Sequence, residues 1–176
     1  MKSLWEVLEG REGRSRTQAR LLKAGLTVVQ VSLNIPGFPK RLRNDLFCVE
    51  WTAWLVRQRC LSLGWGIGAE IGLLNGAGYA LLIGVLPGPD PIRLKQECLA
   101  LEEALSWGRA LDLDVRVQSG SIGREALGLP PRKCLLCGEE AKACNREGRH
   151  DRRALRKIVE ELIGQCAAEE IPTVHS

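Results

Sequence analysis

From Leu26 to Ile35 the chain reads Leu-Thr-Val-Val-Gln-Val-Ser-Leu-Asn-Ile, a β-branched run that stops at Pro36-Gly37. It predicts a strand ending in a turn. Lys40 to Leu63 carries the clearest amphipathic pattern, with Leu42, Leu46, Val49, Ala53, Val56, Cys60 and Leu63 recurring every three or four residues. That spacing predicts a helix. Helices are also expected over residues 4–24, with an interruption near Gly10 and Gly13, over 92–106 behind Pro89-Asp90-Pro91, and over 151–167. Two apolar runs around Asn75-Gly76, within Ile71–Gly88, predict a β-hairpin. Further strands are expected at 110–118 and near 121–126, and Gly128-Leu129-Pro130-Pro131 breaks regular structure ahead of a Cys-rich stretch at 134–150. Residues from Ile171 onward read as a frayed tail.

Helices and strands mix without a βαβ rhythm, and the hairpin demands antiparallel pairing. The expected class is α+β: a mixed, largely antiparallel sheet flanked by helices, with a Cys/His-rich C-terminal loop and a terminal helix. The length predicts one catalytic domain over residues 1–176, in which 130–167 form a basic Cys/His-rich subregion with the last helix. Ile71–Gly88 lacks charge, but Asn75, Pro87 and five glycines disqualify it as a membrane span. The start, Met1-Lys2-Ser3-Leu4-Trp5-Glu6, has no apolar run, so no signal peptide and a cytoplasmic location are expected.

Charge adds a second layer. Residues 1–59 carry 11 basic and 5 acidic groups, 60–129 carry 5 and 8, 130–157 carry 9 and 4, and 158–176 hold four acids and no base. Two basic zones therefore flank an acidic middle, which suits a polyanion or an acidic protein. Of the 25 basic residues 18 are Arg, the side chain that grips phosphate bidentately.

Cys134, Cys137, Cys144 and His150 fall within 17 residues as C-x2-C-x6-C-x5-H. These are ligand types zinc prefers, and C-x2-C lets two thiolates turn onto one ion. Buried thiols with a surface His, or a redox C-x-x-C, are the alternatives; no βαβ context supports the redox reading. A second cluster is Asp112 and Asp114, two apart on a predicted strand and hence on one face, with Leu111, Leu113 and Val115 on the other. Like charges side by side repel unless a cation sits between them, and magnesium carrying a pyrophosphate group would remove that cost. The alternative is an edge strand with two solvated acids. On the first helix, Arg11, Arg14 and Gln18 share a face. Lys40 is placed at the start of the next helix, where free backbone N–H groups favour anions.

The run Leu129-Pro130-Pro131-Arg132-Lys133-Cys134-Leu135-Leu136-Cys137, continued by Ala143-Cys144-Asn145-Arg146 and His150, resembles the C-terminal signature of the apo-citrate lyase phosphoribosyl-dephospho-coenzyme A transferases. The resemblance extends to Gly108-Arg109 with Asp112 and Asp114, to Arg124, to Asn34-Ile35-Pro36-Gly37 with Lys40, and to Arg11, Glu12, Arg14 and Gln18. It implies transfer of the phosphoribosyl-dephospho-coenzyme A group from triphosphoribosyl-dephospho-coenzyme A to a serine of the citrate lyase acyl carrier subunit, releasing pyrophosphate. In that reading Asp112, Asp114 and Arg109 are catalytic and the two carboxylates hold magnesium. Arg11, Arg14, Gln18, Lys40, Arg124 and Arg132 bind substrate, and the 130–157 zone docks the carrier. Leu105 and Leu111 depart from the family pattern, which has a His and an aromatic there. Two other readings stay open: the same chemistry on another carrier, such as that of malonate decarboxylase, and a non-catalytic zinc-containing nucleic-acid-binding module. With 5% aromatic residues the chain has little with which to stack bases, so no nucleic acid is expected.

Overall fold

The structure is a computed structural model and describes residues 2–169; the expected tail from Ile171 lies outside them. Helix α1 spans Lys2–Lys23, β1 Thr27–Leu33, α2 Asp45–Ser62, β2 Ile67–Asn75 and β3 Gly78–Val85. Helix α3 follows at Pro91–Ala104, then β4 at Leu111–Val117 and β5 at Gly120–Ile122, and finally α4 at Ala141–Glu147 and α5 at Arg152–Ala168. The five strands form one sheet in the order β2-β3-β1-β4-β5, every pair antiparallel. The expected α+β architecture is what the chain adopts. Among the described residues no helix is long and apolar enough to cross a membrane.

The alternation along β1 and β4 assigns the two faces of the sheet. Val29 and Val31, with Leu111, Leu113 and Val115, pack against α2, α3 and α5 in the main core, all of them at most 1% exposed. At the centre Trp107 is fully buried, and its indole N–H donates to Thr52 Oγ1 at 3.1 Å, which satisfies its one polar group. Val28 and Leu82 point the other way and are covered by Leu21 of α1. Past this small apolar patch, the α1 side of the sheet turns polar: Gln30 and Ser32 of β1 lie opposite Asp114 and Asp112 of β4.

Helix α1 runs unbroken through Gly10 and Gly13, contrary to the expected interruption. The reason lies across the sheet. A Cβ on Gly10 would meet Asn75 Oδ1 at 2.4 Å and Ala77 N at 2.7 Å, so this glycine lets the helix settle on the hairpin tip. The Asn75 side chain donates to Gly10 O, and Arg14 donates to Ala77 O at 2.8 Å. The hairpin itself forms as expected, though β2 begins four residues before Ile71 and the turn residues are Gly76 and Ala77 rather than Asn-Gly. Asn75 is the last paired residue, and its side chain accepts from Ala77 N.

Helix α2 starts at Asp45, five residues later than expected. Asn44 is left-handed, and the buried Asp45 carboxylate gathers N–H groups from Leu42, Leu46 and Arg41, which ends the preceding loop. Lys40 therefore stands in that loop and not at a helix start. The Arg156 guanidinium of α5 donates to the carbonyls of Pro36, Pro39 and Arg41 and holds the loop in place. The strand expected over 121–126 is short, because the chain enters a 3-10 turn at Arg124. Within the Cys-rich stretch, α4 appears as about two unexpected turns of helix.

Strand β5 pairs only with Val115–Val117, so the outer edge of β4 over residues 111–114 has no strand neighbour. Side chains replace one. Leu113 N–H donates to Glu102 at 3.1 Å, Lys95 Nζ donates to Leu113 O at 2.6 Å, and Arg132 donates to Leu111 O at 2.6 Å. Arg132 and Glu102 also pair at 2.7 Å, so the charges brought into this buried edge neutralise one another. Glu102→Ala should cost about 3–5 kcal/mol, because it strands the Leu113 N–H and leaves Arg132 without its counterion. Glu102→Gln, which keeps an acceptor, should lose clearly less; urea unfolding of the two variants beside the parent protein checks the order.

Candidate functional site

A cleft of about 1070 Å³ opens between the N-terminal half of α1, the loop after β1, the polar face of β4 and the Cys-rich stretch. Nine Lys and Arg side chains line it against four Asp and Glu, so the space favours an anion. Asp112 and Asp114 lie on its floor, side by side on one face of β4, as their spacing predicts. Burial and then the charge of Asp114 push the Asp112 carboxyl up to about 6, against the pull of Arg132 and Lys95. A floor that resists its own negative charge is one that a hard divalent cation would relieve, and two carboxylates with room for water and phosphate oxygens fit magnesium.

The cleft also gathers Arg11, Lys40, Arg109, Arg124 and Arg132 from four separate parts of the chain. Lys40 donates to Ile35 O and stands near Arg11, Arg156 and Arg152; burial and then these neighbours lower its pKa. Such a corner, with positive charges crowded and no acid paired to Arg11 or Lys40 among the described residues, holds an anion well. Arg109 donates to the carbonyls of Lys133 and Cys134, and Arg124 to Pro130 O. Both thus brace the Cys-rich stretch while facing the cleft. Gly108 is required beside Arg109, since a Cβ there would lie 1.7 Å from Glu102 O.

Arg14 and Gln18 are the two expected contacts that the structure keeps out of the cleft wall. Gln18 is buried and starts a chain of hydrogen bonds, donating to Gln30 at 2.9 Å, which donates to Ser32 Oγ at 3.1 Å. Ser32 Oγ in turn reaches Asp112 O, so the chain ends on the backbone beneath the acid pair. Arg14 is 91% buried, and its Nε has no partner. Burial, then Arg11, lower its pKa, while Asp112 draws it up. Gln18 thus backs the acid strand through Gln30 and Ser32, whereas Arg14 ties α1 to the hairpin tip at Ala77.

Cys134, Cys137, Cys144 and His150 bring one ligand atom each within 4.8 Å of one another, a group that could hold a metal such as zinc. The cluster forms because Lys133 bridges Glu140 to make a tight loop around the first two Cys, and α4 and its left-handed cap at Gly148 return the other two ligands. All seven Cys are unpaired thiols.

Lys95 and Glu102 were not singled out as site residues from sequence. They stand seven apart on α3, two turns on one face, flanked by apolar Leu94, Cys98 and Leu99; charges on a core-facing stripe were the available signal. Arg152, Lys133 and Lys142 also line the cleft and carry no such mark. The departures at Leu105 and Leu111 lie away from it: Leu111 is fully buried in the main core and Leu105 packs against that core.

An α+β scaffold with paired acids at the base of a cationic cleft suits a protein that handles a phosphate-bearing substrate. The family described as apo-citrate lyase phosphoribosyl-dephospho-CoA transferase matches residues 2–166. A probable apo-citrate lyase phosphoribosyl-dephospho-CoA transferase of Streptococcus pyogenes is 35% identical over 173 residues, covering 91% of this chain and 84% of the relative. One of the same description from Vibrio cholerae is 32% identical over 162 residues, covering 91% and 90%. "Protein CitXG" of Leuconostoc mesenteroides subsp. cremoris is 34% identical over 170 residues, and the match takes in 84% of this chain but only 32% of that longer protein. The chain belongs to the apo-citrate lyase phosphoribosyl-dephospho-CoA transferase family.

The acid pair predicts its own stability signature. Asp112 binds its proton more tightly in the folded chain than in the unfolded one, so its ionisation subtracts stability as pH rises from about 4 to about 6. Asp112→Asn removes that penalty. The variant should match the parent near pH 4, gain through pH 6, and be more stable by on the order of 1–3 kcal/mol at pH 7.5 in the absence of divalent ions. Urea midpoints across this range check it, and a variant that is destabilised at pH 7.5 would contradict it.

Proposed function

We propose that the chain, acting as one catalytic unit over its 176 residues, transfers the phosphoribosyl-dephospho-coenzyme A group from triphosphoribosyl-dephospho-coenzyme A to a serine of the citrate lyase acyl carrier subunit. The observation that carries the reading is the acid pair at the floor of a cleft rich in Lys and Arg, in a chain of this family. The chemistry is a nucleotidyl-type displacement. The serine oxygen bonds to the phosphorus nearest the ribose as the bond from that phosphorus to pyrophosphate breaks.

In such a displacement the protein mainly positions groups and balances charge. Magnesium held by Asp112 and Asp114 would neutralise the triphosphate and its departing end. Arg11 and Lys40 supply the anion corner, and Arg109, Arg124 and Arg132 supply cations on the opposite wall. Gln18 serves by holding β4 through Gln30 and Ser32, and Arg14 by tying α1 to the hairpin tip. The carrier, which must present its serine at the cleft mouth, meets the basic 130–157 zone, where Leu136 stands exposed among Lys and Arg, with exposed Leu129 at its border. Seven free thiols suit a cytoplasmic setting.

Incubation of the full chain with apo-carrier subunit, magnesium and triphosphoribosyl-dephospho-coenzyme A should add the mass of the prosthetic group to one serine of the carrier. The citrate lyase carrier should react faster than that of malonate decarboxylase. Asp112→Asn, though more stable, should lose roughly a hundredfold or more in rate, the scale for removing a charge-stabilising group from a reacting centre. No mass change with the parent protein, or an undiminished rate in the variant, rejects the reading.

A further inference from the structure

The stretch from 128 to 150 has almost nothing of its own to fold around. Of its 23 residues only Cys134 and Cys144 are buried, while Leu129 and Leu136 face solvent. A segment that small and that exposed needs a cross-link to hold one conformation. No disulfide supplies it, since Cys137 and Cys144 sulfurs lie 3.5 Å apart, well beyond a bond of about 2.05 Å.

Their spacing has another meaning. His150 Nε2 lies 3.2 Å from Cys137 Sγ, and all four ligand atoms fit within 4.8 Å. Ligands at about 2.3 Å for sulfur and about 2.0–2.1 Å for nitrogen, set at tetrahedral angles, stand roughly 3.5–3.8 Å from each other. We infer that Cys134, Cys137, Cys144 and His150 bind one zinc ion, and that this ion is the clasp that keeps the loop seated on Arg109 and keeps Arg132 on the outer edge of β4.

Three thiolates and an imidazole suit zinc and disfavour magnesium or calcium. With four protein ligands the coordination is complete, so the ion is structural and takes no substrate. The ties between the metal loop and the cleft run both ways. From the sheet side, Arg109 donates to the carbonyls of Lys133 and Cys134. From the loop side, Arg132 donates to Leu111 O and pairs with Glu102, while its own carbonyl accepts from Ala141 N–H at the start of α4. Without the ion, only the Lys133–Glu140 bridge and the Cys134 and Ala141 backbone bonds are left within the loop to hold Arg132 at the strand edge and fix the carbonyls that Arg109 binds.

The test uses the full chain purified without added metal. It should carry about one zinc per chain, and Cys137→Ser with Cys144→Ser should abolish it. Hydrogen exchange gives a readout that needs no activity: on stripping zinc with a strong chelator, the Cys134 and Ala141 amides, which bond Glu139 O and Arg132 O, should lose protection roughly a hundredfold or more, while the β1–β3 amides keep theirs. Zinc, and not magnesium, should restore it. Metal-free protein with unchanged protection, zinc retained in the double variant, or a Cys137–Cys144 disulfide in the purified chain would each overturn the inference. An activity arm rests on the transfer reading above: stripping should cut transfer at least tenfold. If zinc binds and protects the loop but no transfer occurs in any form, that reading fails and the clasp stands.

Discussion

A strand edge left open inside a protein must find donors and acceptors somewhere, and in this chain that constraint organises the site. Strand β4 has β1 on one side along its whole length, but β5 covers only its last three residues. The outward groups of Leu111 and Leu113 would otherwise be buried without partners, at a cost of a few kcal/mol. Lys95, Glu102 and Arg132 supply them, two from α3 and one from the Cys-rich stretch. Because Asp112 alternates with Leu111 and Leu113, whatever fixes this edge also fixes the carboxylates on the far face of the same strand. The edge is therefore the joint between fold and chemistry.

The same joint accounts for the strain in the site. Placing Asp112 and Asp114 together on a partly buried floor works against stability, and the raised pKa of Asp112 is its sign. Proteins hold such arrangements where surrounding structure over-determines them. Here the strand is held from three directions: the side-chain bonds at its edge, the Gln18–Gln30–Ser32 chain on its polar face, and the apolar core against Leu111, Leu113 and Val115. Arg14 adds a buried positive charge on the same side. A charged substrate arriving with its own cation would find the electrostatic work already done.

What could be read from the sequence followed from how local each signal is. The alternation around Asp112 and Asp114 is a property of one strand, and the structure reproduces it residue by residue. The Cys and His ligands lie within 17 residues, so their spacing alone brought them together. Features that depend on distant neighbours stayed hidden. Gly10 resembles a helix breaker until the hairpin tip that needs its missing side chain is in view. The start of α2 depends on Asp45 and on Arg156, more than a hundred residues away, so Lys40 was read as a helix start. Lys95 and Glu102 look like ordinary helix charges until an unpaired strand edge is laid beside them, and α4 was too short to raise a periodic signal. Leu105 and Leu111 depart from the family pattern in sequence, yet neither lines the cleft: Leu111 is fully buried and Leu105 packs half-buried against the core.

Two donor sets of opposite chemistry sit on either side of this joint, and their difference matters. Asp112 and Asp114 offer hard oxygens in an open cleft, where under the proposed reading an ion would exchange with the substrate that carries it. The Cys134 cluster offers soft sulfur and imidazole from four protein ligands, where the proposed zinc would stay. Neither set suits the other's metal, so an exchangeable ion and a resident one can work close together without competing. Arg109 and Arg132 span the gap between them, tied at one end to the metal loop and at the other to the strand that carries the acids. Their guanidinium groups line the cleft while several of their N–H groups are committed to backbone carbonyls, which leaves them little freedom to move when an anion binds. Fixed dipoles and charges of this kind need not reorganise as charge shifts during reaction, and that would be the physical advantage of anchoring the cleft wall to a loop clasped by the proposed zinc instead of to a mobile one.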